Sequence, residues 1–145
     1  LRLQAGGRRF AVRVLDQGDS RALPDEAEAL DLPPGAPLYA RHVLLTLDET
    51  PVVYARSATR HDCPAWMPVL MRGSRSLGLT LFGELPALRR EPLHYQLLDS
   101  RHPLAVEAAA AEAAETYPAR RCRFLLDGSP LLLTELFLPA LKDLL

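Results

Sequence analysis

The C-terminal run "RRCRFLLDGSPLLLTELFLPA", residues 120–140, constrains the fold more than any other part of the chain. Two apolar runs flank Asp127-Gly128, a dipeptide that two-residue β-hairpin turns strongly prefer. Both runs are apolar on both faces, which is typical of strands buried in the centre of a sheet. The sequence therefore predicts a central hairpin here, covered by helices.

The N-terminal third predicts a second hairpin and a short helix. In "LRLQAGGRRFAVRVLDQGD", two strand-like runs flank the tight-turn signal Gly6-Gly7. The next stretch, "SRALPDEAEALDLPPGAP", has the composition of a loop. We expect one helical turn in it, from Asp25 to Leu30, closed by Pro33-Pro34.

A third hairpin is predicted in "LYARHVLLTLDETPVVYARSAT". Its strands run from Leu38 to Leu47 and from Pro51 to Thr59, with residues 48–50 turning between them. Side chains alternate between the two faces of a strand. One face of the first strand therefore carries Tyr39, Arg41, Val43 and Leu45.

The remaining segments predict two helices and one more strand. A helix is expected from Ser76 to Phe82, and a strand in "PLHYQLLDS". "PLAVEAAAAEAAETY" is rich in strong helix formers, and we expect a helix that Pro118 stops. Consecutive hairpins with interspersed helices predict a single α+β domain, residues 1–145, built on an antiparallel sheet.

Charge and cysteine usage exclude several classes of function. The formal net charge is -1, from 17 basic and 18 acidic residues, so neither nucleic acid nor an anionic membrane is an expected partner. Basic dipeptides such as Arg120-Arg121 are expected at solvated strand ends. No run approaches the roughly 18 apolar residues of a membrane-spanning helix. Cys63 and Cys122 lie far apart without C-x-x-C spacing, which predicts free thiols in the cytoplasm.

Glu135 is the most informative single residue, because an acid stands alone in the apolar stretch "PLLLTELFLPA". A buried carboxylate must find a partner or take up a proton. One interpretation is a structural ion pair or a hydrogen-bonded core acid. The other is a site acid in a dry pocket that tunes its pKa.

Arg41 raises the same question, because it lies among Tyr39, Val43 and Leu45 on one strand face. Its guanidinium presents a planar fork of donors suited to a carboxylate. Either Arg41 pairs with Glu135, or the two stand at opposite ends of a pocket. In the second case Arg41 holds an anion and Glu135 faces a polar group.

Other polar residues give weaker signals. We expect Arg56 to be a solvated or rim residue. Three adjacent residues such as His61-Asp62-Cys63 cannot all converge on one metal ion, so no metal site is predicted. The sequence contains no G-x-G-x-x-G, P-loop or G-x-S-x-G motif, and no cofactor is expected.

Three stretches together resemble one family. "RRCRFLLDGSPLLLTELFLPA" is similar to the C-terminal signature of the chorismate pyruvate-lyases: a basic pair, a strand, a Gly turn and a leucine run ending in T-E-L-F-L-P. "LYARHVLL" followed by "TPVVYARS" resembles that family's arginine-bearing hairpin. "SRSLGLTLF" resembles its short helix, with an L-G pair before an L-F pair. The similarity covers essentially the whole chain and fades between Leu85 and Pro118.

The resemblance implies a site and an activity. Arg41 would bind the carboxylate on the substrate ring, the backbone amide of Leu77 would assist, and Glu135 would contact the ring hydroxyl. The implied enzyme is a cytoplasmic monomer that uses no metal or organic cofactor. It would eliminate pyruvate from chorismate to give 4-hydroxybenzoate, the first step of ubiquinone biosynthesis.

Two departures from the family bear on that site. Family members carry an N-terminal helical segment of a few dozen residues before the first hairpin, and its end contributes a backbone contact to the ligand. These 145 residues do not include that segment, so the contact is expected to be missing. Some members have Gly where this chain has Ala55, and the extra methyl group would narrow the pocket.

The expected mechanism rests on orientation and proton handling, because aromatisation of the ring supplies the driving force. Glu135 would hold the hydroxyl and act as acid or base, a contribution of typically about a hundred- to ten-thousand-fold. Arg56, if it reaches the pocket, would steer the enolpyruvyl carboxylate. Three rivals stay open: a ligand-sensing domain of a transcription regulator, which has the same fold; a lyase that yields 3-hydroxybenzoate; and an inactive family member.

Overall fold

A computed structural model describes residues 9–61, 63–70 and 88–144 of the chain. These residues form one seven-stranded antiparallel sheet with short helices, which confirms the predicted fold class. The strands are β1 (Phe10–Arg21), β2 (Pro37–Leu47), β3 (Thr50–Arg60), β4 (Leu88–Arg90), β5 (His94–Asp99), β6 (Thr116–Leu126) and β7 (Ser129–Phe137). The helices are α1 (Pro24–Leu30), α2 (Met67–Leu70), α3 (Pro103–Ala108) and α4 (Pro139–Leu144).

The predicted C-terminal hairpin is β6–β7, and it lies at the centre of the sheet. The strand order is β1-β2-β3-β7-β6-β4, and β5 also pairs with β6. Asp127 and Gly128 both adopt the left-handed conformation, with φ of 51° and 79°, which the two-residue turn of a tight hairpin requires. Because β7 is flanked by β3 and β6, its apolar side chains are buried on both faces, as predicted.

The arginine-bearing hairpin is β2–β3, close to the predicted bounds. Its turn is two residues long: Asp48 and Glu49 have φ of 46° and 70°, and Thr50 already belongs to β3. The predicted helical turn is also confirmed as α1. The strand expected before Gly6-Gly7 and the helix expected from Ser76 to Phe82 lie outside the described residues.

The long alanine-rich helix was predicted wrongly. Helix α3 ends at Ala108, and Pro118 lies inside β6, opposite Leu97 of β5. Helix propensity is a weak force, since helices shorter than about 12 residues are marginal without tertiary packing. Here packing favours the strand: Tyr117 is fully buried, and its hydroxyl donates a hydrogen bond to the carbonyl oxygen of Glu112.

The sheet has two apolar faces. The front face, which includes Val43, Ala55, Leu133 and Cys122, packs against Trp66 and Leu70 at helix α2. The back face is covered by α1 and α3; its buried residues include Leu44, Tyr54, Leu132, Leu136, Leu30 and Leu104. None of the helices in the described ranges is long and apolar enough to cross a membrane.

Candidate active site

Arg41, Ala55 and Glu135 share the front face of the sheet. Arg41 on β2 is opposite Ser57 on β3, and Ser57 is opposite Leu133 on β7. Ala55, two residues before Ser57, is opposite Glu135. Directly paired residues of antiparallel strands point to the same face. The strand register therefore places the two side chains that stood out in the sequence, Arg41 and Glu135, on one face of the sheet.

Arg41 and Glu135 are separated on the front face and do not pair with each other. They stand two strands apart across the sheet and two residues apart along it. Strand spacing and rise give a Cα–Cα separation of about 12 Å. Their long side chains can converge from that distance on opposite ends of one ring. Both are shielded from bulk water, with only 2% and 3% of their surfaces exposed.

The ion-pair partner of Glu135 is Arg120 on β6. Nε and Nη2 of Arg120 both donate to Oε1 of Glu135, at 2.8 and 2.6 Å. The two residues are directly opposite in the β6–β7 register, and the guanidinium also lies over the ring of Phe137, 5.9 Å from its centroid. The hypothesis that Arg41 pairs with Glu135 is therefore wrong: the buried acid is ion-paired, but to a different arginine.

Sequence reasoning missed Arg120, which was expected at a solvated strand end. A signal was present. A two-residue turn at Asp127-Gly128 pairs Leu126 with Ser129. Moving six residues away from the turn along each strand places Arg120 opposite Glu135.

The second carboxylate oxygen of Glu135 is left for another partner. Within the part of the chain that the structure describes, Oε2 accepts no hydrogen bond, whereas Oε1 takes both donors from Arg120. Burial raises the pKa of Glu135, and the charge and hydrogen bonds of Arg120 act against that rise. The site therefore offers an acid with one oxygen fixed and one available to a ligand.

The other two front-face residues are also buried. Burial lowers the pKa of the Arg41 guanidinium, and the nearby Tyr39 acts in the opposite direction. Ala55 is 5% exposed and places its methyl group beside Glu135 on the neighbouring strand. Leu77, the remaining residue expected at the site, lies outside the described residues.

Arg56 lies on the opposite side of the sheet. It is buried rather than solvated, because its Nε and Nη2 donate to the two carboxylate oxygens of Glu26 on α1. The expectation of a rim residue is therefore wrong, and the structure does not bring Arg56 together with Arg41 and Glu135.

The reason for the position of Arg56 is a β-bulge. The β2–β3 register shifts by one residue between Leu45 and Thr46. Without that shift the two-residue turn would pair Arg41 with Arg56, on the same face. A one-residue slip sends every later side chain to the other face, so Ser57 takes the front position and Arg56 the back.

The back-face arginine continues into a polar chain. Nη1 of Arg56 donates to Nε2 of His42, at 3.1 Å. Because a guanidinium can only donate, His42 carries its proton on Nδ1, which faces the hydroxyl of Tyr54. Burial, followed by the charge of Arg56, lowers the pKa of His42, so the imidazole is neutral at pH 7.

A second cluster on the back face surrounds Asp25 of α1. Oδ2 of Asp25 accepts hydrogen bonds from Nη2 of Arg121, at 2.9 Å, and from Nε2 of His102, at 3.1 Å. Burial alone would raise the pKa of Asp25, but these two partners lower it overall. Together with Glu26, this carboxylate attaches α1 to strands β3 and β6.

A pocket of about 310 Å³ lies where β6, the end of β7 and α4 meet. It is lined by Thr116, Pro118, Phe137, Leu138, Pro139, Leu141 and Lys142. Phe137 follows Glu135 by two residues on β7, but neither Arg41 nor Glu135 lines this pocket.

No group of three or more His, Cys, Asp or Glu side chains within residues 9–61, 63–70 and 88–144 is arranged to hold a metal ion. Nε2 of His61, which begins the run His61-Asp62-Cys63, lies 2.8 Å from Oδ1 of Asp19. A metal-free, cofactor-free reaction stays a prediction.

Comparison with known proteins places this chain in a family. The model of the family described as chorismate lyase matches residues 1–143. The chain belongs to the chorismate lyase family. It is 41% identical to a probable chorismate pyruvate-lyase of Ralstonia nicotianae, over 97% of this chain and 75% of that protein. It is 43% identical to a probable chorismate pyruvate-lyase of Aromatoleum aromaticum, over 93% of this chain and 76% of that protein.

Solved structures show that this chorismate lyase family member shares its fold with regulator domains. The C-terminal domain of the histidine utilization repressor from Pseudomonas syringae pv. tomato matches with a TM-score of 0.66 and 13% identity, over 91% of this chain and 93% of that one. The effector domain of PhnF from Mycobacterium smegmatis matches with a TM-score of 0.62 and 18% identity, over 94% and 85%. At such low identity the likeness establishes the fold alone.

Proposed function

We propose that the chain is a chorismate pyruvate-lyase that converts chorismate to pyruvate and 4-hydroxybenzoate, the first step of ubiquinone biosynthesis. The observation that carries the proposal is the position of Arg41 and Glu135 on one buried face. Their Cα atoms are about 12 Å apart, and one oxygen of Glu135 is available to a ligand. The match to the chorismate lyase model over residues 1–143, and the relatives about 40% identical, support it.

Arg41 binds the ring carboxylate of the substrate in this proposal. A guanidinium donates two parallel hydrogen bonds to a carboxylate, and such charge-assisted bonds are shorter and roughly twice as strong as neutral ones. Burial of Arg41 favours the same role, because a buried guanidinium gains most from an anion. The backbone amide of Leu77 assists.

Glu135 holds the other end of the ring. Oε2 accepts a hydrogen bond from the ring hydroxyl, while Oε1 stays bonded to Arg120. The ether bond between the ring and the enolpyruvyl group then breaks, and the hydroxyl-bearing carbon loses its proton. The departing enolpyruvate takes up a proton to become pyruvate, and the ring becomes aromatic. Fixed geometry of this kind lowers a barrier by removing the entropy cost of alignment.

The rival that an activity assay must exclude is ligand sensing without turnover, which stayed open from the sequence. The decisive experiment mixes the purified chain with chorismate, measures pyruvate with a coupled assay and identifies the aromatic product by chromatography. We expect equimolar pyruvate and 4-hydroxybenzoate. Binding without pyruvate would favour the sensor or an inactive enzyme, and 3-hydroxybenzoate would indicate the other lyase.

Ala55, beside Glu135 on β3, is proposed as the wall of the same site.

We also propose that the chain acts as a cytoplasmic monomer, without nucleic acid or membrane partners. Size-exclusion chromatography with light scattering at working concentration tests the oligomeric state; a dimer would contradict it.

A further inference from the structure

Arg120 contacts Glu135 in an unusual way. A guanidinium that meets a carboxylate commonly spans both oxygens with two parallel bonds. Here Nε and Nη2 converge on Oε1 alone. One oxygen of the acid is therefore anchored, and the plane of the carboxylate is set by a residue that leaves the other oxygen available.

Arg120 is itself held in place. Its strand position is fixed by pairing with Glu135 on one side and with Tyr95 of β5 on the other. Its guanidinium lies over the ring of Phe137, a cation–π contact. Only 14% of its side-chain surface is exposed. A rigidly held neighbour of this kind can determine the rotamer of the acid that it contacts.

The charge of Arg120 is permanent, because a guanidinium does not deprotonate in proteins. A buried carboxylate tends to take up a proton, and a protonated Glu135 would donate rather than only accept. The cation 2.6 Å from Oε1 opposes that protonation. Arg120 thus acts on both the orientation and the ionisation of the acid.

We propose that Arg120 is the positioning residue of the lyase site: it anchors Oε1 of Glu135 so that Oε2, as an ionised oxygen, faces the ring hydroxyl of the substrate. This inference rests on the proposed function and extends it to a residue that does not touch the substrate.

The primary test replaces the charge with a side chain of similar length, Arg120→Met. We expect kcat to fall at least tenfold, with a much smaller change in KM. We also expect the acid limb of the kcat profile to move to higher pH by about one unit or more, because losing the cation raises the pKa of Glu135. Arg120→Lys keeps the charge, so it should restore the pH profile while recovering kcat only in part.

Arg123→Met is the matched control. Arg123 lies on the same strand, three residues along, and is ion-paired with Glu91 at 2.8 Å, but on the back face. We expect its kcat and pH profile to match those of the unaltered chain. An Arg120→Met profile as unshifted as that of Arg123→Met would overturn the proposal.

A double variant keeps the test independent of folding. Glu135→Gln removes the charge that Arg120 serves, so Arg120→Met should add no further loss of kcat in that background. Losses that multiply would mean that Arg120 acts separately, which contradicts the proposal.

A carboxyl ¹³C NMR titration of Glu135 tests the coupling without turnover. It should show a higher pKa in Arg120→Met than in the unaltered chain. An equal pKa would overturn the proposal even if the chain releases pyruvate. A raised pKa in a chain that releases none would count against the proposed function and not against the coupling.

Discussion

Two buried Arg–Glu pairs lie on opposite faces of the same sheet, and they differ in how completely the carboxylate is used. On the back face, Arg56 bonds both oxygens of Glu26, and Oε1 of Glu26 also accepts from the backbone N–H of Leu23. On the front face, Arg120 bonds one oxygen of Glu135, and the described residues leave the other without a hydrogen bond.

The difference separates a structural pair from a site. A fully bonded buried pair, such as Arg56–Glu26, fastens one element to another and has no capacity left for a ligand. An acid with a spare oxygen in a shielded position is costly unless something else binds it. For these two pairs burial does not separate structure from function; the oxygen that Arg120 leaves available on Glu135 does.

The sharpest test of the front pair is Glu135→Gln. The amide keeps the shape of the side chain but loses the charge that faces the ring hydroxyl. We expect kcat to fall by about a hundred- to ten-thousand-fold, while the dissociation constant for 4-hydroxybenzoate changes much less. Stopped-flow kinetics and calorimetry measure the two quantities. Unchanged turnover would remove Glu135 from the mechanism.

The matching test of the back pair is Glu26→Ala. It leaves a buried guanidinium without its carboxylate, so the free energy of unfolding should fall by about 3–5 kcal/mol. Urea denaturation measures the loss. The double change Glu26→Leu with Arg56→Met removes both charges and should recover most of it. A Glu26→Ala protein with normal stability but a lost kcat would place Arg56 in the catalytic machinery. The contrast between a structural back-face pair and a functional front-face pair would then fail.

Arg41→Lys tests the other end of the proposed site. Lysine keeps the charge but lacks the planar fork, and bonds to charged groups contribute about 1.5–3 kcal/mol. We expect KM for chorismate to rise about tenfold or more, with a smaller change in kcat. Steady-state kinetics at several pH values measure the effect. Full activity with lysine would mean that charge alone holds the ring.

The smallest expected effect concerns Asp25 on the back face. Arg121 and His102 lower its pKa despite burial, so its contribution to stability is present above the unfolded pKa, about 3.9. That contribution disappears as the pH falls through the lower pKa that Asp25 has in the folded protein. Asp25→Asn should therefore cost up to about 1 kcal/mol at pH 7, because the group is over one third exposed. Unfolding curves should show a smaller stability difference between Asp25→Asn and the unaltered chain at pH 2.5 than at pH 7. An equal loss of stability at both pH values would show that the charge of Asp25 is irrelevant.

The sequence predicted the features that local chemistry decides. Asp127-Gly128 and the flanking leucines determine a tight turn and a two-sided apolar strand, so the β6–β7 hairpin and the unusual position of Glu135 could be found by inspection. The same alternation correctly placed Arg41 on the face of Val43 and Leu45. These predictions need only neighbours in sequence.

Other features depend on distant parts of the chain. The partner of Arg56 is Glu26, thirty residues away, and no local pattern indicates that α1 covers β3. The bulge near Thr46 reverses the face of Arg56. The alanine-rich helix failed in the same way, because burial of Tyr117 and pairing with β5 outweigh helix propensity. Apart from Arg120, whose place opposite Glu135 follows from the hairpin turn alone, the misassigned residues were those whose surroundings arise only after the sheet assembles.

The central position of β7 has a consequence for synthesis of the chain on the ribosome. Val53 of β3 pairs with Phe137, over eighty residues later, and such long-range pairings form slowly. The meander β1–β2–β3 emerges early and must wait, with one edge uncovered, for the last strand to be translated. A transcript that stops before Ser129 would lose the middle of the sheet and Glu135 together. Truncated products should therefore be both inactive and prone to aggregation.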